Sequence, residues 1–414
     1  MAINKIVYAG NSLIDLTDDT VTSDKLAEGI TAHDKSGNKI TGTMSSGGSA
    51  TVCDKKDVNF YDYDGVLLYS YYIDEIQNLE ELPTLPSKDH LVCQGWNYTL
   101  DQIKNENSSL NIGALYTTDN NNTRIHIELI DGRLSIYISF TYIGNCKIEW
   151  GDETYTELDY KSSSYRGNIT HDYVNPGNYT IEISEYTKLI FDGASRYTYL
   201  IRDLTGNHKS NLAISYKSIV KEINLGQNVE IHNYAFSYLY SLEKISIPND
   251  ISVNSSGHLL YCCYSLKCAI LPNNLKLESN FFYDCYNLTT ISFTLSSTYI
   301  PSYAFCYCYN LKNIILPSTS EIDTLSSNCF NNCRSLTKIV IPKTVSTISS
   351  YSFAYCYFVK YYDFSNHESI PTLSNTNAFT NISSDCNIIV PNILLDSWKS
   401  ATNWSTYANY IVGV

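Results

Sequence analysis

No run of about 18 apolar residues occurs in the 414-residue chain, so no segment is long enough to cross a membrane as a helix. The amino terminus, Met1-Ala2-Ile3-Asn4-Lys5-Ile6-Val7-Tyr8, has no apolar core and no small-residue cleavage site, so no secretory leader is expected there. Basic side chains are few. The 28 Lys and Arg stand against 42 Asp and Glu, a net charge of −14 that argues against nucleic acid and anionic membrane as partners. Signatures of catalysis are missing too: no Gly-x-Ser-x-Gly elbow, no His-Glu-x-x-His and no Gly-x-x-x-x-Gly-Lys loop. The histidines (His33, His90, His126, His171, His208, His232, His258, His367) are scattered. A glycan-cleaving carboxylate pair has no local signature, since Asp152-Glu153 reads as a turn and Asp363 stands alone, although distant acids can meet in space. We expect no enzyme, no catalytic residue, no metal and no cofactor.

What the chain has in quantity is tyrosine, 37 residues, and cysteine, 13. An excess of Tyr, an apolar ring with a polar tip, suggests much half-buried recognition surface. The odd number of cysteines, outside any short secreted framework, reads as reduced or unpaired thiols. At 43% hydrophobic and 17% charged the balance is globular, and the length suggests two to four domains at roughly 100–200 residues each.

A repeat dominates the C-terminal half. Anchors Phe236, Leu260, Phe282, Phe305, Phe330, Phe353 and Phe379 recur every 22 to 26 residues. Three positions after them stand Leu239, Cys263, Cys285, Cys308, Cys333, Cys356 and Ile382; six after, Leu242, Leu266, Leu288, Leu311, Leu336 and Val359, with Asp385 the misfit. At +9 and +11 apolar residues alternate with the period of a strand, such as Ile314 and Leu316 or Ile339 and Ile341. A proline commonly ends the run (Pro248, Pro272, Pro317, Pro342, Pro391). A degenerate earlier copy runs through Ile214, Val220, Ile223 and Leu225. One such unit cannot bury its apolar face alone, so stacking must place each anchor on the next. The spacing predicts a solenoid over 200–392, with the anchor, +3 and +6 positions on a helical or 3₁₀ turn. Leu394, Leu395, Trp398 and Ala401, continued by Trp404, Tyr407 and Ile411, predict a capping helix over 393–414.

Segments such as Asn310-Leu311-Lys312-Asn313-Ile314-Ile315-Leu316-Pro317 and Ser335-Leu336-Thr337-Lys338-Ile339-Val340-Ile341-Pro342 resemble BspA-type leucine-rich repeats. That family occurs on bacterial surface proteins and on proteins of gut bacteria and their phages. Trp150-Gly151-Asp152-Glu153, His171-Asp172-Tyr173 and Pro176-Gly177-Asn178-Tyr179, among alternating strands at 116–192, resemble a PKD domain, an immunoglobulin-like sandwich. That family usually carries Gly where Glu153 stands. Residues 51–115 read as a small β-rich domain with a hairpin about Asp64-Gly65 and a helix after Leu100. As a run, 57–135 look like the domain preceding the PKD module in tail-associated proteins of Gram-positive gut phages. Lys5 to Gly10, Leu13 to Thr17 and Ala32 to Thr43 resemble the amino-terminal module of phage tail-tip or fibre proteins. Residues 1–44 then imply an attachment module, followed by a flexible linker at 45–50. The fold class expected is multidomain and mainly β.

Three rows of the repeat are candidates for chemistry. The +3 cysteines form a file about 5 Å apart, which packs as small hydrophobes better than it ligates zinc, whose four ligands must converge. The +4 tyrosines (Tyr240, Tyr264, Tyr286, Tyr309, Tyr357, interrupted by Arg334) and +2 tyrosines (Tyr238, Tyr307, Tyr355) suggest an aromatic edge that stacks on sugars. The plain alternative is that these rings fill space with their hydroxyls outward. On the edge reading, Tyr264→Ala with Tyr286→Ala weakens cell binding and leaves the melting temperature nearly unchanged. The strand face offers outward residues at +8 and +10, with Lys244, Asn313, Lys338, Tyr361 and Asp363 as candidates. Between residues 200 and 392 there are 12 acidic and 12 basic side chains, so the repeats carry no strong field.

The resemblances imply a phage tail fibre or tail-tip receptor-binding protein. Its repeats would meet a host-surface glycan or protein, residues 1–44 other tail proteins, and copies of the chain each other, as a trimer, in the virion tail. The alternatives are a bacterial surface adhesin with BspA-type repeats, at the cell surface, and a glycan-cleaving fibre.

Overall fold

Six of the seven expected anchors are aromatic, and they lie on one another in a single buried file. Ring centroids of Phe282, Phe305, Phe330, Phe353 and Phe379 follow at 5.6, 5.3, 5.5 and 5.4 Å, with interplanar angles of 16° or less. Leu260 is likewise fully buried between Phe236 and Phe282. In this computed structural model the described residues are 56–106, 108–131, 134–192, 219–273, 275–293, 297–316 and 322–414. To these are added the backbones of strands Lys5–Tyr8, Asn11–Asp15, Thr31–His33, Lys39–Thr41 and Ile201–Arg202. The chain divides into two units, Met1–Asp54 and Lys55–Val414. In the first, Lys5–Tyr8 pairs antiparallel with Asn11–Asp15, and Thr31–His33 with Lys39–Thr41. The expected linker and the Ile214 end of the degenerate repeat fall outside the described residues.

In the second unit every coil carries the expected strand except that of Phe305, where Asn313 to Ile315 form none. Lys338–Val340, Tyr361–Asp363 and Asn387–Val390 pair in parallel from coil to coil, as do Cys268–Ile270 and Thr290–Ser292. A second parallel ladder precedes the anchors: Tyr299–Ile300, Thr324–Leu325, Thr347–Ile348 and Thr372–Leu373. Its buried Ile300, Leu325, Ile348 and Leu373 each stand five or six residues before an anchor. The coil is thus a β-solenoid with two strand ladders.

Between the ladders the anchor turn is neither α nor continuous 3₁₀. The residues two before and two after an anchor take left-handed backbone, as at Tyr303 (φ 61°), Tyr307 (62°), Asn328 (60°) and Asn332 (61°). Asn, Asp and His enter this region readily, whereas for a bulky Tyr it costs about 1–2 kcal/mol. The alternation aims successive N–H groups at the next coil. Tyr303, Phe305 and Tyr307 donate to the carbonyls of Ser327, Cys329 and Asn331. These turns therefore form a third hydrogen-bonded ladder that offsets the strain.

The +3 cysteines complete it. The thiols of Cys263, Cys285, Cys308, Cys333 and Cys356 each donate to the carbonyl of the previous coil's anchor at 3.1–3.2 Å. A small side chain with a weak donor is what that buried carbonyl accepts. Burial raises every one of these thiols, Cys356 to about 12, and among the described residues no cysteine is in a disulfide.

The strands expected at 116–192 are present as Thr123–Leu129, Ser135–Glu149, Tyr155–Asp172 and Gly177–Phe191. Their hydrogen bonds do not close on themselves. Thr123–Leu129 pairs with Val220–Asn224, and Gly177–Phe191 pairs with Val229–Ile231, so one sheet runs on into the first coils. Phe191 packs on Phe236 at 5.4 Å and starts the anchor file. Glu153 sits at φ 68°, so this chain places a side chain on a left-handed turn.

The C-terminal cap differs from the single helix expected. The helix Leu395–Ser400 ends at Ala401, whose backbone is extended, and Asn403 turns left-handed at φ 65°. A 3₁₀ turn, Trp404–Tyr410, follows, and Ile411–Gly413 then adds a last parallel strand to Asn387–Val390. Trp398, Trp404, Tyr407 and Ile411 are buried as expected, and Trp404 and Tyr407 meet Phe379 at 5.7 and 5.3 Å.

Candidate binding face

The strand ladder at +8 and +10 is not one open surface. Residues 56–118 form their own four-stranded sheet, in the order Leu67–Tyr71, Val58–Tyr61, Leu110–Thr118, Leu91–Trp96. The hairpin about Asp64-Gly65 and the helix after Leu100 are present as expected. This sheet sits on the strand face of the first coils. Every residue of Leu110–Thr118 is buried, because that strand lies across Val220–Asn224, Lys244–Ser246, Cys268–Ile270 and Thr290–Ser292.

The contact is close and polar at its core. Asn97 donates to Leu271 O at 3.1 Å and to Ser292 Oγ at 2.9 Å, and Tyr98 OH donates to Phe293 O at 2.8 Å. Ser292 Oγ donates to Asn111 O at 2.5 Å. Tyr63 OH donates to Glu222 at 2.7 Å, and burial together with that bond raises its pKa. A Cβ on Gly113 would stand 2.2 Å from Ile270 Cγ2, so only glycine allows this approach. Ser246, Cys268, Ile270 and Ser292, expected to face outward, are consequently buried.

From Asn313 onward the face is uncovered. One column reads Asn313, Lys338, Tyr361, Asn387; the other reads Ile315, Val340, Asp363, Ile389. Val340 is 43% and Tyr361 39% exposed. At the border between covered and uncovered coils lies a cleft of about 720 Å³. One wall is Lys56, Asp57, Asn59, Ser108 and Ser109; the other is Asn313 to Leu316, Lys338 and Val340 to Lys343, with Asn366. Asn313 and Lys338 thus line the cleft, and Tyr361 and Asp363 stand beside Lys338 and Val340 on the next strand, outside it. Asp363 also accepts from the Ser365 N–H at 3.1 Å. Lys244 is elsewhere, in a smaller hollow with His126, Thr180, Lys221 and Glu243.

The tyrosine edge is a stack. Tyr240, Tyr264, Tyr286 and Tyr309 follow at centroid distances of 4.5, 4.7 and 4.9 Å, within 12° of parallel. Arg334 takes the next place, its guanidinium 4.5 Å from the Tyr309 ring and 5.8 Å from Tyr357. Tyr238, Tyr307 and Tyr355 lean edge-on against Tyr240, Tyr309 and Tyr357. The ring faces from Tyr240 to Tyr309 therefore cover one another. What the edge presents is hydroxyls and ring rims. Burial and Asp284 push the Tyr286 hydroxyl up to about 12.

This changes the expected outcome of the double substitution. Tyr264→Ala with Tyr286→Ala removes three stacked pairs worth about 0.5–1.5 kcal/mol each. Denaturant titration should show a loss of about 2–4 kcal/mol. An unmoved midpoint would mean that the rings stand apart in solvent.

A family model described as BspA type leucine rich repeat region matches in six copies, over residues 210–324 and 276–401. The chain carries BspA-type leucine-rich repeats. Their span, 210–401, is 192 of 414 residues, just under half of the chain. No curated protein matches the chain. Among solved structures it is similar to a leucine-rich repeat protein from Eubacterium ventriosum ATCC 27560, at 24% identity and a TM-score of 0.30. The alignment covers 37% of this chain and 40% of that one. Residues 56–118, which cover the first of the BspA-type repeats, lie outside the family match.

Sequence reasoning found the anchor file, the cysteine file and the outward columns of the later coils. It missed the covering sheet, although Gly113 after Leu110-Asn111-Ile112 was a signal that two backbones approach there.

Proposed function

We propose that the protein is a surface-recognition protein of the bacterial adhesin kind, which binds a cell-surface partner through the uncovered strand face of its BspA-type repeats without catalysis. The observation that carries this reading is the division of the face. A polar column and a largely apolar column stand open over the later coils, beside a cleft bounded by the chain's own docked sheet. Open Val340 and Tyr361 on a rigid ladder fit a preorganised binding patch. The tail-fibre alternative rests on the resemblance of residues 1–44 and 57–135, and the family match lies wholly outside both.

The test is adhesion of the labelled full-length chain to a panel of immobilised bacterial and epithelial cells. Val340→Arg places a long charged side chain at the centre of the open face, while its neighbours Ile339 and Ile341 keep the coil packed. Adhesion should fall about tenfold or more with no change in the melting curve. Unchanged adhesion would remove the strand face from the account.

A further inference from the structure

We propose that the cleft beside Ser108 and Ser109 receives an extended acidic polypeptide segment of a partner protein, laid across the later coils in continuation of the chain's own strand Leu110–Thr118. The inference rests on the surface-recognition reading and deepens it by giving the partner's chemistry.

The covered half of the face shows how it holds polypeptide. Side chains of the docked sheet donate to carbonyls in the +11 column: Thr117 to Leu225 O at 3.5 Å, Asn97 to Leu271 O and Tyr98 to Phe293 O. Backbone meets an apolar +10 side chain where Gly113 lies on Ile270. The next members of both columns, Leu316 and Ile341 at +11 and Ile315 and Val340 at +10, line the cleft. The strand Leu110–Thr118 enters from that side, since Asn111 meets Ile291 and Thr117 meets Leu225. A segment seated in the cleft therefore meets an interface already made by polypeptide, continued one coil further on.

Charge decides the sign of the partner. Lys338 and Lys343 are exposed, and among the described residues neither has an ion pair. Lys56 on the facing wall bonds Glu75 at 2.9 Å, and Asp57 is the one acidic residue in the lining. In a chain of net charge −14, a cleft that offers the two exposed lysines Lys338 and Lys343, beside a Lys56 already paired with Glu75 and one carboxylate, favours an acidic occupant.

The test uses the full chain and three probes: a synthetic peptide alternating Glu with Val and Thr, its Lys counterpart, and heparin as an anionic polysaccharide. The acidic peptide should bind and the basic one should not. Affinity should fall as salt rises, drop about tenfold in Lys338→Glu with Lys343→Glu, and stay unchanged in Tyr357→Ala. Failure of the acidic peptide to bind, or equal binding of both peptides, overturns the proposal. Heparin binding through the same lysines without peptide binding also overturns it, while surface recognition stands. The adhesion test with Val340→Arg judges that reading separately.

Discussion

Phe330→Ala should destabilise the solenoid by about 3–5 kcal/mol, the loss typical of a fully buried Phe. Phe330 is completely buried, with Phe305 at 5.3 Å on one face and Phe353 at 5.5 Å on the other, both nearly parallel to it. Truncation opens a cavity between two coils whose backbones are held apart by the ladder bonds from Phe305 N to Cys329 O and from Phe330 N to Ser352 O. Those bonds limit how far the coils can close on the gap, so the cost should lie near the upper end. Stability in a stacked array is a sum of coil and interface terms, and this change weakens two interfaces at once. The measurement is a denaturant titration. A loss below about 1 kcal/mol, the size of a surface effect, would contradict the file.

Gly113→Leu should release the docked sheet while leaving the solenoid standing. The new Cβ meets Ile270 at 2.2 Å, and the Gly113 backbone is fixed on both sides, its N–H donating to Asn97 Oδ1 and its carbonyl accepting from Asn97 N–H at 2.9 Å each. Overpacking of this kind costs about 1–3 kcal/mol, and the buried amides and hydroxyls of Asn97, Asn111 and Ser292 lose partners at about 1–3 kcal/mol per orphaned group. The clearest readout is Cys268, a native thiol on the covered face, against Gly65. Burial pushes its pKa up and keeps it inert. Release should turn it from unreactive to alkylated within the assay, with the anchor-file cysteines still silent. A Cys268 that stays protected in this variant would mean that the sheet does not close over it.

The repeats were legible because each anchor, +3 and +6 position serves the same buried role in every coil, so the constraint is written several times over. The second ladder was harder to see. Ile300, Leu325 and Ile348 supply one buried side chain per short strand, too little for a period of two to emerge. The left-handed positions explain the Asn, Asp and His found two before and two after the anchors, residues that enter this region readily, whereas the Tyr at the same positions bears its cost. The covering sheet left almost no mark. Burial of Ser292 and Asn111 depends on an encounter between segments 181 residues apart, and neither segment's local pattern differs from that of an exposed strand. At the C-terminus the helical spacing from Leu394 to Tyr407 was real, but Asn403 broke it and Ile411 found a strand partner instead.

The division of the strand face into a closed and an open half can be read directly by alkylating the folded Val340→Cys protein and mapping the modified thiols by mass spectrometry. The account predicts that the thiol introduced at position 340 is modified quickly, while Cys268, three coils earlier on the same face, stays unmodified until the protein is unfolded. Modification of both at similar rates would contradict it.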